Sequence, residues 1–271
     1  MRHSNKLLTT ALVLLLGSAL GCSKQINQLR ARNELNRGVR AFEAANFVAA
    51  AESFEAALGY DPELLVARTY QATAYRMQFV PGSTSPDNMK VAADALTGFQ
   101  EVLDRDPNNQ LAMTSIASLY FDMGKLDEAK DWNKKLIQAF PDKKEAYYTI
   151  GVINWTKSYQ PRMEIRADIG MRQEDPGPIK DAKRREAFAQ EVTPLHEEAL
   201  QMFNKAVEID PDYENAMNYI NLTYREMADV APNSEEYERL NSIADDWVQK
   251  TLDTRKRLAE ASSRDLISAE D

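Results

Sequence analysis

Residues 38–62 read GVRAFEAANFVAAAESFEAALGYDP, and five positions of this stretch return elsewhere at the same spacing. Gly38 is followed by Ala50 after twelve residues, Phe54 after four more, Ala57 after three and Pro62 after five. Ala117, Ala129, Asn133, Leu136 and Pro141 repeat those intervals. Second halves recur as Ala95, Phe99, Val102, Pro107 and as Ala199, Phe203, Ala206, Pro211. Each of four prolines is followed ten residues later by a small or polar residue: Pro62 by Ala72, Pro107 by Ala117, Pro141 by Gly151 and Pro211 by Asn221. Offsets of three and four place side chains on one helical stripe. A small residue on a first helix then meets an alanine on a second, and the aromatic residue four positions on fills the groove beside them. Tyr75, Tyr120 and Tyr224 fall on the same packing face. Asp61-Pro62, Asp106-Pro107 and Asp210-Pro211 are expected to start helices, the carboxylate as N-cap and the proline in the first turn.

This pattern resembles the tetratricopeptide repeat, a 34-residue helix–turn–helix unit. The resemblance implies an all-α fold, a right-handed superhelical solenoid of about five repeats over residues 31–258. The copies run 31–64, 65–109, 110–143, 144–213 and 214–258. The family's tryptophan near the start of each copy is replaced by Glu34, Arg68, Met113, Tyr147 and Met217. The fifth copy ends without its proline, as suits a terminal repeat.

Three copies carry extra residues. The opener and the second-helix alanine are twelve residues apart in the first and third copies, but 23, 48 and 23 apart in the second, fourth and fifth. The insertions lie near 79–89, 158–192 and 228–236. All fall in the turn inside a repeat, so they line one edge of a solenoid and mark a candidate binding face. Ser85-Pro86 is expected to start a helix. The long insert, with Pro176-Gly177-Pro178 and with Lys183-Arg184-Arg185 on a short helix, reads as a packed flap. The basic triplet is read as matched by neighbouring acids.

The N-terminus is basic at Arg2 and Lys6. It continues as an apolar run from Leu7 to Leu20 and reaches the chain's one cysteine at Gly21-Cys22. Fourteen apolar residues are short for a membrane span, which needs about 20. Ala19-Leu20-Gly21-Cys22 resembles a bacterial lipobox, with Ala19 in place of the usual leucine. Residues 1–21 are therefore read as a lipoprotein signal peptide, Cys22 as the lipidation site and 22–30 as a linker to the membrane. Residues 259–271 form the C-terminal helix end and tail. Ser23 after the cysteine favours an outer-membrane, periplasm-facing location.

Without residues 1–21 the chain carries 42 acidic and 31 basic side chains, a formal charge of −11. That balance argues against nucleic acid as a partner, because neutralising phosphate needs a basic surface. Catalytic and metal sites are not expected. The one histidine left, His196, follows Thr193-Pro194 and is read as a solvent-facing first-turn residue without partners for metal or nucleophilic chemistry. No glycine-rich phosphate loop and no cofactor motif is present. The chain is read as a non-enzyme.

In helical repeats the first helices line a concave groove. About a quarter turn from the packing stripe lie Leu35, Val39 and Phe42; Thr69, Thr73 and Arg76; Thr114, Ser118 and Phe121; Tyr148, Val152 and Trp155; and Asn218, Leu222 and Arg225. Phe42, Arg76, Phe121, Tyr148, Trp155, Tyr159 and Arg225 are the candidate partner-binding residues, aromatic anchors beside adaptable polar groups. Some family members hold a chaperone's C-terminal carboxylate with lysines and asparagines; this stripe offers no lysine, which argues against such a tail. The resemblance implies a protein- or peptide-binding scaffold, similar in plan to tetratricopeptide lipoproteins that help assemble outer-membrane barrels or pilus secretins. A small-ligand or glycan carrier using Tyr148, Trp155 and Tyr159 is the alternative.

Overall fold

The computed structural model describes the backbone of residues 4–172 and 174–269, and the side chains of residues 24–172 and 174–263. The described residues form helices joined by short turns. In chain order they are α1 (Ser4–Glu43), α2 (Phe47–Tyr60), α3 (Leu65–Gln78), α4 (Pro86–Arg105), α5 (Gln110–Asp122), α6 (Leu126–Ala139), α7 (Lys144–Asp168), α8 (Ala182–Ile209), α9 (Glu214–Asp229) and α10 (Ser234–Ala269). The chain divides into two compact units, residues 1–129 and 130–271.

In the first unit α1 pairs with α2 and α3 with α4, and α5 follows. The small openers let the paired helices approach. A Cβ on Gly38 would stand 2.5 Å from the Phe54 ring, so the ring packs directly against the bare backbone of α1. In the next pair the close approach is between Ala72 and Gly98, where a Cβ would lie 2.8 Å from the alanine methyl. Ala50, Phe54, Ala57, Ala95, Phe99, Val102 and Ala129 are all fully buried, as the spacing predicts. Segment 22–30, expected as a linker, is part of α1, which runs unbroken into the first repeat.

The second unit repeats the plan with α7 against α8 and α9 against α10. Gly151 takes the Phe203 ring as Gly38 takes Phe54, with the same 2.5 Å limit.

The Asp-Pro dipeptides act differently from expectation. Asp61, Asp106 and Asp210 are the C-caps of α2, α4 and α8, not N-caps of the next helix. Each carbonyl accepts a bond from the N–H three residues on, at Leu64 (3.1 Å), Asn109 (3.0 Å) and Tyr213 (3.0 Å). Proline is thus the second residue of a four-residue turn, the position its fixed φ suits best. The Asp61 and Asp210 carboxylates bond the N–H groups of Glu63 and Asp212, which tightens the turn. Pro141 repeats the arrangement, with the Lys143 N–H on the Phe140 carbonyl.

The long insert is also corrected. It is not a flap with a short helix: α7 extends through Pro161 to Asp168, and α8 is a 28-residue helix that passes through Pro194. A connection of residues 169–181 joins them. The reason is apolar: Ile179, Phe188 and Val192 form a buried cluster with Ile165, Ile169 and Val230 packed on it. The extra turns therefore have their own core. The first insert behaves as expected, with Ser85 capping α4 by accepting a bond from the Asn88 N–H and Pro86 in the first turn.

Candidate functional site

Among the first helices of the first unit, α3 contacts both α1 and α5, so its free face adjoins theirs. Phe42 lies there edge-on to Phe47 (5.2 Å between centroids) and to Tyr70 (5.8 Å). Thr69 and Thr73 bond their hydroxyls to carbonyls one turn back on their own helix, which turns the donors away from solvent partners. Three apolar side chains of α3 remain open: Val66 is 43% exposed, Tyr70 36% and Met77 46%. Their spacing of four and seven residues keeps them on one side of the helix. Arg76 borders this strip and pairs at 3.6 Å with Asp122, so it is not a free cation. Phe121 is half-buried on α5. Val66, Tyr70 and Met77 were not singled out from sequence, although their helical spacing was readable there.

In the second unit Tyr148, Trp155 and Tyr159 are brought together, but as part of a packed row. Trp155 stacks on Tyr159 at 4.7 Å and meets the edge of Tyr219 at 5.3 Å. Tyr148 meets Tyr213 at 5.4 Å and Tyr219 at 5.5 Å, and Phe203 stacks on Tyr219 at 5.5 Å. The rings fill the space between α7, α8 and α9 with one another. Burial pushes the Tyr148 hydroxyl well above its ordinary range, and burial with the Glu145 and Asp210 charges pushes Tyr213 to about 12. Arg225 is held by Asn221, Asn241 and Asp245, the last at 2.6 Å.

His196 is the largest departure from the sequence reading. It is 1% exposed, in the middle of α8, because the helix continues through Pro194 instead of starting there. Neither ring nitrogen has a hydrogen-bond partner among the described residues. Close by is an ionic group that sequence could not reveal. Arg166, 1% exposed, donates to Asp229 at 3.0 Å and to the carbonyls of Arg172 (2.8 Å) and Asp175 (2.7 Å). Arg162 binds Asp229 at 2.5 Å and lies 3.0 Å from Glu226 without a well-directed hydrogen bond. The Ile179 N–H bonds the Asp229 carbonyl at 2.9 Å. These contacts fasten Arg172, Asp175 and Ile179 to the end of α9.

Burial, reinforced by the positive charge of Arg162, lowers His196 to about 4. Burial, with Asp229 adding and the arginines opposing, raises Glu226 to about 7. The two act on stability in opposite directions. His196 is neutral in the fold where the unfolded chain protonates, so its contribution is present above pH 6.5 and lost as pH falls towards 4. Glu226 holds a proton in the fold that the unfolded chain has released, so its contribution is present below pH 4.5 and lost as pH rises towards 7. Each spans on the order of 3 kcal/mol. Together they should keep the melting temperature nearly level between pH 4.5 and 6.5. Glu226→Gln should expose the histidine, so that melts fall with acidification across that window; a flat profile in the variant would refute the assignment.

A groove of about 470 Å³ lies between α8, α9 and α10, lined by Arg185, Ala189, Met227, Val230, Pro232 and Leu240 among others. It is on the insert-bearing edge. Arg184 pairs with Asp168 and Asp181, the acidic neighbours expected of the basic triplet, whereas Arg185 is spent on the carbonyls of Ile179 and Pro232 instead. Among the described residues no group of three or more His, Cys, Asp or Glu is placed to hold a metal ion, and no helix is long and apolar enough to cross a membrane. The Cys22 side chain lies outside the described residues.

Two sequence-family profiles match the chain, both described as Tetratricopeptide repeat, at residues 91–150 and 195–213. No curated protein matches it. Among solved structures, that of MamA protein superposes with a TM-score of 0.57 at 15% identity, covering 85% of this chain and 94% of that one. A second MamA structure gives 0.53 at 16% identity, covering 82% and 96%. The structure of YrrB, described as a TPR protein with an unusual peptide-binding site, gives 0.50 at 14% identity, covering 85% and 90%. At such identities the likeness shows the fold alone. With glycine- and alanine-opened helix pairs, Pro-centred turns and these matches, the chain carries tetratricopeptide repeats.

Proposed function

We propose that the chain is a non-enzymatic scaffold that captures an extended protein or peptide segment and is held at a bacterial membrane by a lipid on Cys22. It faces the periplasm, with the outer membrane favoured over the inner by Ser23. The observation that carries the binding reading is the open apolar strip Val66, Tyr70 and Met77 on α3, set between α1 and α5. Apolar side chains grouped on one face and rimmed by polar groups mark interaction sites. Here the rim is Thr69, Thr73, Arg76 and Asp122. Phe42 and Phe121 on the neighbouring first helices extend the strip. The peptide-binding site of YrrB, on a similar fold, is consistent with this use. A small-ligand pocket at Tyr148, Trp155 and Tyr159 has weaker support, because those rings fill the space between their helices themselves.

A photoreactive amino acid at Met77 or Val66, in cells of the native host, should crosslink a discrete partner. The same group at Val48, still more open but on the second helix α2, should not. Met77→Glu should reduce capture about tenfold or more with an unchanged melt, since a charge would have to be buried in the interface. Equal crosslinking from Val48 and Met77 would refute the assigned face.

A further inference from the structure

We propose that the outer face of α1, Ile26 and Leu29 flanked by Arg30, Arg32 and Arg40, lies against an anionic phospholipid surface. Helix α1 buries one side in the first repeat through Ala31 and Gly38. Leu29 and Ile26, two and five residues before Ala31, and Arg40, two after Gly38, face outwards, about half a turn from that buried line. Among the described residues Leu29 is the most exposed large apolar side chain, at 62%, and Ile26 is 49% exposed. They follow Cys22 by seven and four residues, so one line along the helix continues from the anchoring position.

Charge separates this helix from the rest of the chain. Residues 24–40 carry five basic side chains and one acid, while residues 41–271 carry 26 basic and 41 acidic ones. All five basic residues of the segment are exposed. Arg37 is engaged with Glu34 at 3.3 Å and Arg30 leans over the Tyr60 ring, but Lys24, Arg32 and Arg40 have no charged partner among the described residues. Basic side chains beside a membrane anchor are attracted to anionic headgroups within about one Debye length, roughly 10 Å. A helix rising 1.5 Å per residue brings Arg40 about 27 Å from Cys22, so the arginines share the surface only if α1 lies along it. The acidic remainder is repelled by the same surface, which turns the repeats away from the membrane. A solvated basic face would account for the arginines but would leave Leu29 and Ile26 open to water. Lying at the headgroup boundary covers both.

The inference rests on the lipid at Cys22 proposed above, and the test separates the two. Asn33 is exposed on the same side of α1. In lipidated protein purified from membranes, Asn33→Cys supplies the one reactive thiol, because the chain's single natural cysteine is consumed by the lipid. An environment-sensitive fluorophore there is read in vesicles of phosphatidylcholine alone or with about one third phosphatidylglycerol. The expected result is about twofold or greater extra quenching by a lipid-borne quencher in the anionic vesicles. It should be abolished by roughly 0.5 M salt and by the triple change Arg30→Glu, Arg32→Glu, Arg40→Glu with an unchanged melt. Equal quenching in both vesicle types overturns the proposal. So does protection of the probe without dependence on lipid charge, which would mean that a protein covers α1. Labelling of Cys22 as well as the introduced thiol would show the anchor to be absent and refute both readings, while leaving the α3 crosslinking result to stand by itself.

Discussion

Replacing Asp229 with alanine should destabilise the protein by about 3–5 kcal/mol, the usual cost of leaving a buried charge without its partner. Arg166 would lose the carboxylate it binds at 3.0 Å in a site only 1% exposed, and Arg162 would keep only Glu226, a group that burial already drives towards its neutral form. For a chain of this size the change corresponds to a fall in melting temperature on the order of 10 °C. The loss should have a local signature. Arg166 bridges Asp229 to the carbonyls of Arg172 and Asp175, so hydrogen exchange should quicken first over residues 174–181. Asp229→Asn, which keeps the shape and one acceptor, should cost less. An alanine variant that melts within 2 °C of the parent, a shift worth about 1 kcal/mol or less, would show that the cluster contributes little net.

That cluster marks where reading the sequence stopped. The repeat spacing was legible because the same physical demand recurs: a ring needs a bare backbone to pack on, and Gly38 with Phe54 and Gly151 with Phe203 meet it in the same way. A demand made once leaves no such trace. Arg162, Arg166, Glu226 and Asp229 sit at helical intervals of three and four, which in sequence reads as a solvated charged face. Only the extension of α7 and α8 past the ordinary repeat length brings them under the residue 169–181 connection and buries them. Pro161 and Pro194 hid that extension, since proline inside a helix removes a donor and reads as a boundary. The same error put His196 at a helix start when it lies in the middle of one. Exposure was less legible than packing. Phe42 meets the Tyr70 ring and Arg76 pairs with Asp122, yet the open apolar side chains of α3 are Val66, Tyr70 and Met77, and helical period alone cannot tell a half-covered position from an open one.

Trp155→Ala should destabilise the fold by about 3–5 kcal/mol, the range for truncating a large packed aromatic. The indole stacks on Tyr159 at 4.7 Å and abuts Tyr219 at 5.3 Å, so its removal undoes two ring contacts at once and leaves a gap that neither neighbour can fill without abandoning its own partners. Tyr219 also stacks on Phe203, the ring that covers Gly151, so the disturbance should pass to the tightest contact between α7 and α8. Tyr159 carries Arg162 over its face at 5.3 Å, which links the row to the ionic cluster. Losses at Trp155 and Asp229 should therefore fail to add: the double variant should be more stable than the sum of the two single effects by roughly 0.5–3 kcal/mol. Thermal melts of the single and double variants measure this directly. Partner capture, read on the same proteins below their melting range, separates structure from recognition. If Trp155 is an exposed anchor for the bound segment, the alanine variant will melt like the parent and lose capture. If it is the keystone of the aromatic row, capture per folded molecule will persist while the melt drops.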